Sequence, residues 1–457
     1  MNKKLAIQAP LDPGFMPAIV FNQTYIKEAK ASGKAVPLVL GLEREEGYLS
    51  RYSTIVKPDT HDDTLLYVER IVKFLLWARG GWKIHFGGPK AIGEHIQRHY
   101  SPTGARAFDV DLMGKVYEKK FEVVLTAADK VPAAHEMSTT VGGHLDGCRI
   151  GFDLGASDYK ISAVLNGEAV YTDEFPWDPK NQPDPSYHYN LINEGFKKAA
   201  TKLPRVDAIG GSSAGVIVNN RIMVASLFRA VPAAQFDQAK NIFLRLREAW
   251  KVPMEVVNDG DVTALAGAMS LNTKAMLGVA MGSSEAGGYM NPKGGMTGWL
   301  SELAFAPVDY NRNAPADEWS GDHGVGALYF SQQAVNKLLP AAGIAAPANM
   351  ALPERLKMVQ ELMGKGDARA AKIYETIGVY LGYTIPHYAD FYEYNNILIL
   401  GRVTTGTGGD IILAKAREVL KAEFPDVAKR ITINVPDEKS RRIGQAVAAA
   451  SLPMIKR

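Results

Sequence analysis

Four short stretches place carboxylates, hydroxyls and glycines where an apolar core would otherwise run on. In RIGFDLGASDYKISAVL the interruption is Asp153-Leu154-Gly155-Ala156-Ser157. A glycine lets backbone amides approach an anion, a neighbouring hydroxyl can donate to phosphate oxygens, and an aspartate can hold Mg²⁺ directly or through water. Taken alone, these five residues read better as a hairpin turn with Asp153 as a local cap. In PMEVVNDGDVTALAGAM, residues 254–257 form a buried strand, Asn258 and Asp259 stand at its C-terminal end, and a helix of small residues starts at Asp261. Strand ends of α/β sheets are where ligand-binding groups project. A carboxylate shielded there from bulk water can take the proton of a hydroxyl that attacks phosphorus. The plain alternative is a turn with Asp261 as the helix cap.

The third stretch, VAMGSSEAGGYMNPKGGMTGWLSELAF, repeats the first: Gly282, Ser283 and Ser284 lie between two apolar strands, with Gly287 and Gly288 beyond. The fourth, NILILGRVTTGTGGDIILAKAREVL, is a strand ending at Leu400-Gly401, a glycine-rich turn over 405–409 and a helix from Asp410. Such an element can receive a flat base and ribose. Neither a GxGxxG fingerprint nor a GxxxxGK[ST] loop occurs in the chain.

These stretches need a scaffold, and the rest of the chain supplies one. A length of 457 residues corresponds to two to four domains, and 46% apolar residues can fill their cores. Residues 1–145 read as an α+β unit, with strands at AVPLVLGLE, WKIHF and FEVVLTA and a helix at DTLLYVERIVKFLLWA. The segment VPAAHEMSTTVGGHLDG, small and polar, reads as a linker. From 149 onward three strands follow one another, with Asn166-Gly167 supplying a hairpin turn, and then helices and strands alternate. The strand, turn, strand rhythm returns at AMLGVAMGSSEAGGYM, which suggests a duplicated α/β lobe.

Charge and cysteine usage narrow the classes. With 52 Lys+Arg against 49 Asp+Glu, the net charge of +3 carries no nucleic-acid footprint. No apolar run approaches the ~18–20 residues that span a bilayer, and the N-terminus lacks an export-type apolar stretch. Cys148 is the one cysteine, which rules out internal disulfides and fits a reducing, cytoplasmic setting.

Each stretch is a weak signal, but their order is informative. A phosphate turn, a strand-end aspartate, a second phosphate turn and a glycine-rich nucleotide turn resemble the actin, Hsp70 and sugar-kinase superfamily. Within it, NDGDVTALAG is similar to the catalytic ND-x-x-x-x-A-L segment of the ROK family (repressor, open reading frame, kinase). GGMTGWLSELAFAPVDYN resembles that family's G-E-x-G-H-x-x-V-D-x-N stretch, and GDHGVGALYFSQQAV stands in place of its G-C-L-E-A-Y-A-S-G-P-A-L. The resemblance covers roughly 149–457 and implies a two-lobed actin-like ATPase fold, a duplicated ribonuclease H-like α/β core. It leaves residues 1–145 as an added N-terminal α+β domain, with a small lobe over 146–257, joined by a C-terminal helix at 441–457, and a large lobe over 258–440.

By the same resemblance Asp259 is the catalytic base, while Asn258, Glu302, Ser213 and Gly215 bind sugar. Asp153, Gly155, Ser157, Lys160, Gly282, Ser283, Ser284, Gly401 and Thr404 face ATP, with Asp153 near Mg²⁺ through water. The implied activity is ATP-dependent phosphorylation of a hexose or hexose derivative by a homodimer. The alternative is a weak or inactive sugar-binding regulator, since the family includes repressors. Residues 1–145 show no basic recognition helix, which argues against DNA binding. Two departures bear on the sugar: the family's zinc-ligating, sugar-contacting histidine falls on Phe305, and its second sugar-binding glutamate on Ala327. The three zinc cysteines are absent, so no structural zinc is expected, and His323 reads as a loop residue. A pocket with a phenyl ring and a methyl in those places suits a deoxy, N-acylated or otherwise less polar sugar.

Overall fold

The computed structural model describes residues 4–137, 142–155, 158–436, 444–445 and 447–455. The chain packs as two units, each visited more than once: Met1–Met137 with Val279–Gly287 and Trp299–Asn434, and Ser138–Gly278 with Gly288–Gly298 and Val435–Arg457.

The first unit opens with α1 (Ala18–Ala31), β1 (Val36–Glu43), β2 (Leu49–Val56), α2 (Asp62–Arg79), β3 (Lys83–Gly87), α3 (Lys90–His99), α4 (Ala107–Tyr117) and β4 (Glu122–Thr126). Its strands form a sheet in the order β2-β1-β3-β4, antiparallel on both sides of β1 and parallel between β3 and β4. Sequence patterning finds β1, β3, β4 and α2. HFGGPKAIGEHI reads as a strand, a glycine turn and a helix, which are β3 and α3; the patterning misses β2, whose Ser, Arg and Tyr blur the alternation.

Helix α2 is buried around its whole circumference from Tyr67 to Arg79, charged residues included. A buried charge is tolerable only when it is paired. Arg70 makes a fork to Asp322 through two bonds of 3.0 Å each and reaches Glu69 at 2.7 Å. Lys73 sits 2.9 Å from Asp109 and 3.2 Å from Asp322, and Arg106 lies 2.5 Å from Glu69 and 2.7 Å from Asp322. Burial alone would push the Lys73 ammonium down, but Asp109 and Asp322 outweigh it and hold it above its usual value. Three cations and three carboxylates thus close on one another.

The second unit holds β5 (Cys148–Leu154), β6 (Asp158–Leu165), β7 (Glu168–Pro176), α5 (Pro185–Ala200), β8 (Ala208–Ser213), β9 (Val216–Val218), β10 (Arg221–Val224), α6 (Phe236–Lys240), α7 (Ile242–Trp250), β11 (Met254–Asn258) and α8 (Asp259–Ser270). Its five-stranded sheet runs β11-β8-β5-β6-β7, with an antiparallel meander and parallel pairing of β5 to β8 and β8 to β11. Asn166 and Gly167 both take positive φ, 48° and 88°, as the tight turn between β6 and β7 requires. Ile150, Phe152 and Leu154 of β5 pack with Ile192 and Phe196 of α5 and Phe243 and Leu246 of α7.

Residues from 276 on add β12 (Met276–Met281), β13 (Glu285–Met290), α9 (Gln332–Leu338), α10 (Leu352–Gly364), α11 (Ala368–Ala389), β14 (Asn396–Leu400), α12 (Thr407–Glu423), α13 (Pro425–Arg430) and β15 (Thr432–Asn434). Their sheet runs β13-β12-β14-β15. The order β6-β5-β8 thus recurs as β13-β12-β14, the duplication expected of an actin-like ATPase core. Among the described residues no helix is long and apolar enough to cross a membrane.

Packing does not follow the boundaries read at 145 and 257. Residues 1–137 share a unit with 299–434 because Arg70 and Lys73 pair with Asp322, Pro17 bridges Asp309, and Ala18 donates to the Val308 carbonyl. The linker read at 131–147 is anchored in its first half: Val131 is buried, His135 pairs with Leu49, and Glu136 accepts from Arg44 and Trp299. Residues 435–457 pack in the second unit, where Arg149 donates to the carbonyls of Ala450 (3.3 Å) and Pro453 (2.7 Å). Of the helix expected at 441–457, residues 447–450 are helical, and 441–443, 446 and 456–457 lie outside the described residues.

Replacing Asp322 by alanine leaves Arg70, Lys73 and Arg106 short of an anion in a dry site. The expected cost is about 3–5 kcal/mol, read by urea unfolding followed through tryptophan emission, since Trp77 borders the network. A loss under ~1 kcal/mol, the range of an exposed pair, would show that the network does not hold α2 in place.

Candidate functional site

In the second unit the parallel strands β5, β8 and β11 bring their C-terminal ends to one edge. Register sets Asp153 opposite Ser212, and Ser213 opposite both Leu154 and Asn258. The Ser212 hydroxyl donates to Asp153 at 2.5 Å. Helix α8 starts at Asp259, two residues earlier than the sequence suggests, because Asn258 and not Asp261 caps it: its Oδ1 accepts from the Gly260 N–H at 2.7 Å. The other end of the same side chain donates to the Gly215 carbonyl at 2.8 Å. Gly215 has φ 108°, and a Cβ there would lie 2.4 Å from the Val224 carbonyl oxygen, so this turn admits only glycine.

Three half-buried carboxylates, Asp153, Asp259 and Asp261, therefore share a strand edge and a helix start. Burial raises Asp153 above its usual range. Burial, then the charge of Asp153, lifts Asp259 to about 6, and burial, then the charge of Asp259, lifts Asp261 to about 7. Asp261 accepts from the Tyr289 N–H at 3.3 Å. A carboxylate tuned near neutrality in a dry site is suited to general base work. The mutual repulsion of Asp153 and Asp259 is also what a nearby cation would relieve. Among the described residues no group of three His, Cys, Asp or Glu could hold a metal alone. One or two carboxylates fit Mg²⁺, which keeps several waters and takes phosphate oxygens as its other ligands.

The turn after β5 is tight: Gly155 donates to the Asp158 carbonyl at 3.0 Å and accepts from the Trp177 indole at 2.9 Å. Ser157 lies outside the described residues. Lys160 pairs in register with Asp153, and its ammonium is 3.8 Å from the Asp158 carboxylate. Ser213 is fully buried and donates to the Ala214 carbonyl at 3.3 Å.

In the first unit Gly282, Ser283 and Ser284 make the turn between β12 and β13, closed by a 3.0 Å bond from the Gly282 N–H to the Ser284 carbonyl. Both serines are exposed. Gly401, φ 108°, lies against the Met281 backbone so closely that a Cβ would approach it to 2.4 Å. The ends of β12 and β14 are thereby brought together. Thr404 is buried and donates to the Gly401 carbonyl at 2.9 Å. Helix α12 starts at Thr407 and not at Asp410, with Gly408 and Gly409 buried in its first turn. Glu302 hangs from the end of α2: its N–H donates to the Trp77 carbonyl at 3.1 Å, and that of Ser301 to Ala78 at 2.9 Å. Phe305 packs at 4.4 Å on the Trp77 ring and 5.6 Å from Phe108, while Ala327 is buried. His323 bonds the Ala314 carbonyl at 2.5 Å through Nδ1.

One group behind the second turn escapes sequence reasoning. Glu285, directly after Ser284, is buried and accepts from the Tyr388 hydroxyl at 2.8 Å through Oε1, while Oε2 has no partner. Burial pushes its carboxyl up to about 8. An acid inside an apolar hairpin was the visible signal.

The arrangement is the α/β core of an actin-like ATPase, and known structures agree. A ROK hexokinase from Thermus thermophilus superposes with a TM-score of 0.52 at 16% identity, over 66% of this chain and 98% of its own. A ROK family transcriptional regulator, a homologue of the E. coli MLC protein, gives 0.52 at 17% identity, over 67% and 78%. A candidate N-acetylmannosamine kinase from Listeria monocytogenes gives 0.50 at 14% identity, over 66% and 97%. At such identities the likeness establishes the fold, that of ROK sugar kinases and regulators. No family model matches the sequence, and no curated protein does.

Glu285 holds its proton between its ordinary value of 4.5 and about 8 when folded. Its contribution is complete below the lower value and is lost as pH rises through the upper one. Glu285→Gln keeps the Tyr388 bond and removes the titration. The unfolding free energy of the wild type should therefore fall relative to that of the variant across that window, by up to roughly 1.4 kcal/mol per pH unit, read by urea unfolding at each pH. Parallel curves would show that the carboxyl titrates normally.

Proposed function

We propose that this protein transfers the terminal phosphoryl group of ATP to a hydroxyl of a hexose or hexose derivative. The observation that carries the proposal is Asp259, a half-buried carboxylate at the C-terminal edge of the sheet and the start of a helix, whose proton affinity is lifted to about 6. Asp259 takes the proton of the attacking sugar hydroxyl. Asn258, fixed by its bonds to Gly260 and Gly215, orients the sugar beside it, and Ser213, Gly215 and Glu302 serve as further sugar contacts. Backbone amides and hydroxyls at Gly155, Ser157, Gly282, Ser283 and Ser284 hold phosphate oxygens, with Lys160 adding charge, and Gly401 and Thr404 border adenosine. Asp153 holds Mg²⁺ through water. Bound Mg²⁺·ATP supplies the phosphoryl group and offsets charge on its oxygens.

A second reading, a sugar-binding regulator, draws on the regulator among the structural neighbours and on Phe305 and Ala327 in place of polar sugar ligands. The retained carboxylates Asp153 and Asp259 favour the kinase. With a phenyl ring and a methyl there, the preferred acceptor is a less polar sugar, N-acylated or deoxy.

Asp259→Ala should lower sugar-dependent ATP consumption by about 10²- to 10⁴-fold, measured over hexoses, amino sugars and acylated sugars. Because the base must be unprotonated to act, wild-type kcat/KM should rise with pH through about 6. Full turnover in Asp259→Ala rules out the kinase reading, and sugar binding without turnover in the wild type supports the regulator.

A further inference from the structure

A cavity of about 490 Å³ opens within the first unit, walled by α2, α3, the residues before α4 and the 309–323 segment. None of the residues assigned above to ATP or sugar lines it. Its floor is the closed ion network of Arg70, Arg106, Glu69 and Asp322. We propose that this cavity is a second binding site, for a neutral polyhydroxyl molecule the size of a monosaccharide. The site stands whether or not the protein is a kinase.

Charge balance selects a neutral ligand. With Lys73 and Asp109 behind them, the groups of the floor are three cations and three carboxylates, and a fourth buried carboxylate on the wall, Asp309, is already engaged by the Tyr329 hydroxyl and the Met16 and Asn311 N–H groups. At the rim Asp62 pairs with Arg312 at 3.5 Å. No excess of positive charge draws an anion in, and an anion that captured one guanidinium would strand its buried carboxylate. Hydroxyl groups face no such barrier. Asp322 is saturated by Arg70, Lys73, Arg106 and the His323 N–H, but Glu69 accepts only from Arg70, Arg106 and Tyr100 and keeps one of a carboxylate's roughly four lone-pair sites, so a ligand hydroxyl can donate to Glu69 and a neighbouring one accept from a guanidinium without breaking the pairs. Arg106 spends Nε on Glu69 and Nη1 on Asp322, which leaves Nη2 for a ligand.

The wall opposite is built for the same chemistry. His95 and His99, one turn apart on α3, stand with rings 3.9 Å apart. His99 bonds the His95 carbonyl through Nδ1 at 3.2 Å, so Nε2 points elsewhere. Burial, then the neighbouring His99, holds His95 below its usual value, so it stays neutral near pH 7. Leu65 and Leu66 provide an apolar patch for a sugar's C–H face. The volume falls within the roughly 300–1,000 Å³ of small-molecule sites.

The test is calorimetric titration of the intact protein with D-glucose, N-acetyl-D-glucosamine, myo-inositol and, as the charged comparison, glucose 6-phosphate. The background variant Asn258→Ala/Glu302→Ala removes the contacts assigned to the acceptor sugar. At least one neutral ligand should still bind that variant. Adding Ala105→Trp, which fills the cavity from an exposed position on its wall, or His99→Ala should weaken binding at least tenfold with the thermal unfolding curve unchanged. The proposal is overturned if no neutral ligand binds the background variant at millimolar concentration. It is equally overturned if both added substitutions leave affinity intact, or if glucose 6-phosphate binds more tightly than glucose. Loss of all ATP turnover in the wild type would instead strike the kinase reading and leave this site untouched.

Discussion

Everything in the first unit is arranged around Asp322. Its two carboxylate oxygens receive Arg70, Lys73 and Arg106, groups from α2 and from the residues before α4, although it lies some 250 positions further along the chain. Long-range pairing of this kind costs chain entropy that only a well-paired buried network can offset. Because α2 is buried on all sides, its charged residues have no other outlet, and the pairing fixes the helix in rotation as well as in position. The N-terminal residues are therefore part of the same packed body as the strands and helices beyond 299, and their apolar surface is shared with it.

The second unit solves a different problem, that of keeping three half-buried carboxylates together. Parallel strands β5, β8 and β11 carry them to one edge, and the start of α8 offers free N–H groups to stabilise them. Burial first, and at Asp259 and Asp261 the charge of a neighbouring carboxylate after it, is expressed as raised proton affinity at Asp153, Asp259 and Asp261. Stability alone would favour apolar residues here, so a site that retains this cost is where chemistry is most plausibly sought.

Legibility followed locality. The meander, the Asn166-Gly167 turn, the strand before Asn258 and the glycine turns could be read because their signals are short-range periods and turn residues. The element α2 was readable too, yet its consequence was not: nothing near Arg70 in sequence announces Asp322. The helix start at Asp259 was misplaced because Asn and Asp are both good caps, and the choice was made by the bond from Asn258 to Gly215, which only the fold supplies. Likewise the glycines 408 and 409 read as a loop, whereas close packing puts them inside the first turn of α12, where a Cβ on Gly408 would lie 2.6 Å from the Tyr374 ring. Glu285 went unread, because nothing local to it in sequence shows its burial against Tyr388.

The same long-range packing bears on the acceptor side of the proposed reaction. The backbone of Ser301 and Glu302 is suspended from the last carbonyls of α2, groups that a helix end leaves without internal partners. Trp77 then presents its ring to Phe305, while Lys73 lies 5.8 Å over that ring and the indole N–H donates to Asp109. A phenyl ring at position 305 is thus no isolated loss of a polar group; it completes an aromatic layer whose other members, Trp77 and Phe108, come from the N-terminal region. Restoring a histidine at 305 would place a polar ring against this layer without a partner, at a cost in stability. Phe305 and the N-terminal elements therefore depend on one another: the segment that carries Glu302 is held by packing against α2, and its shape is set by residues more than two hundred positions earlier.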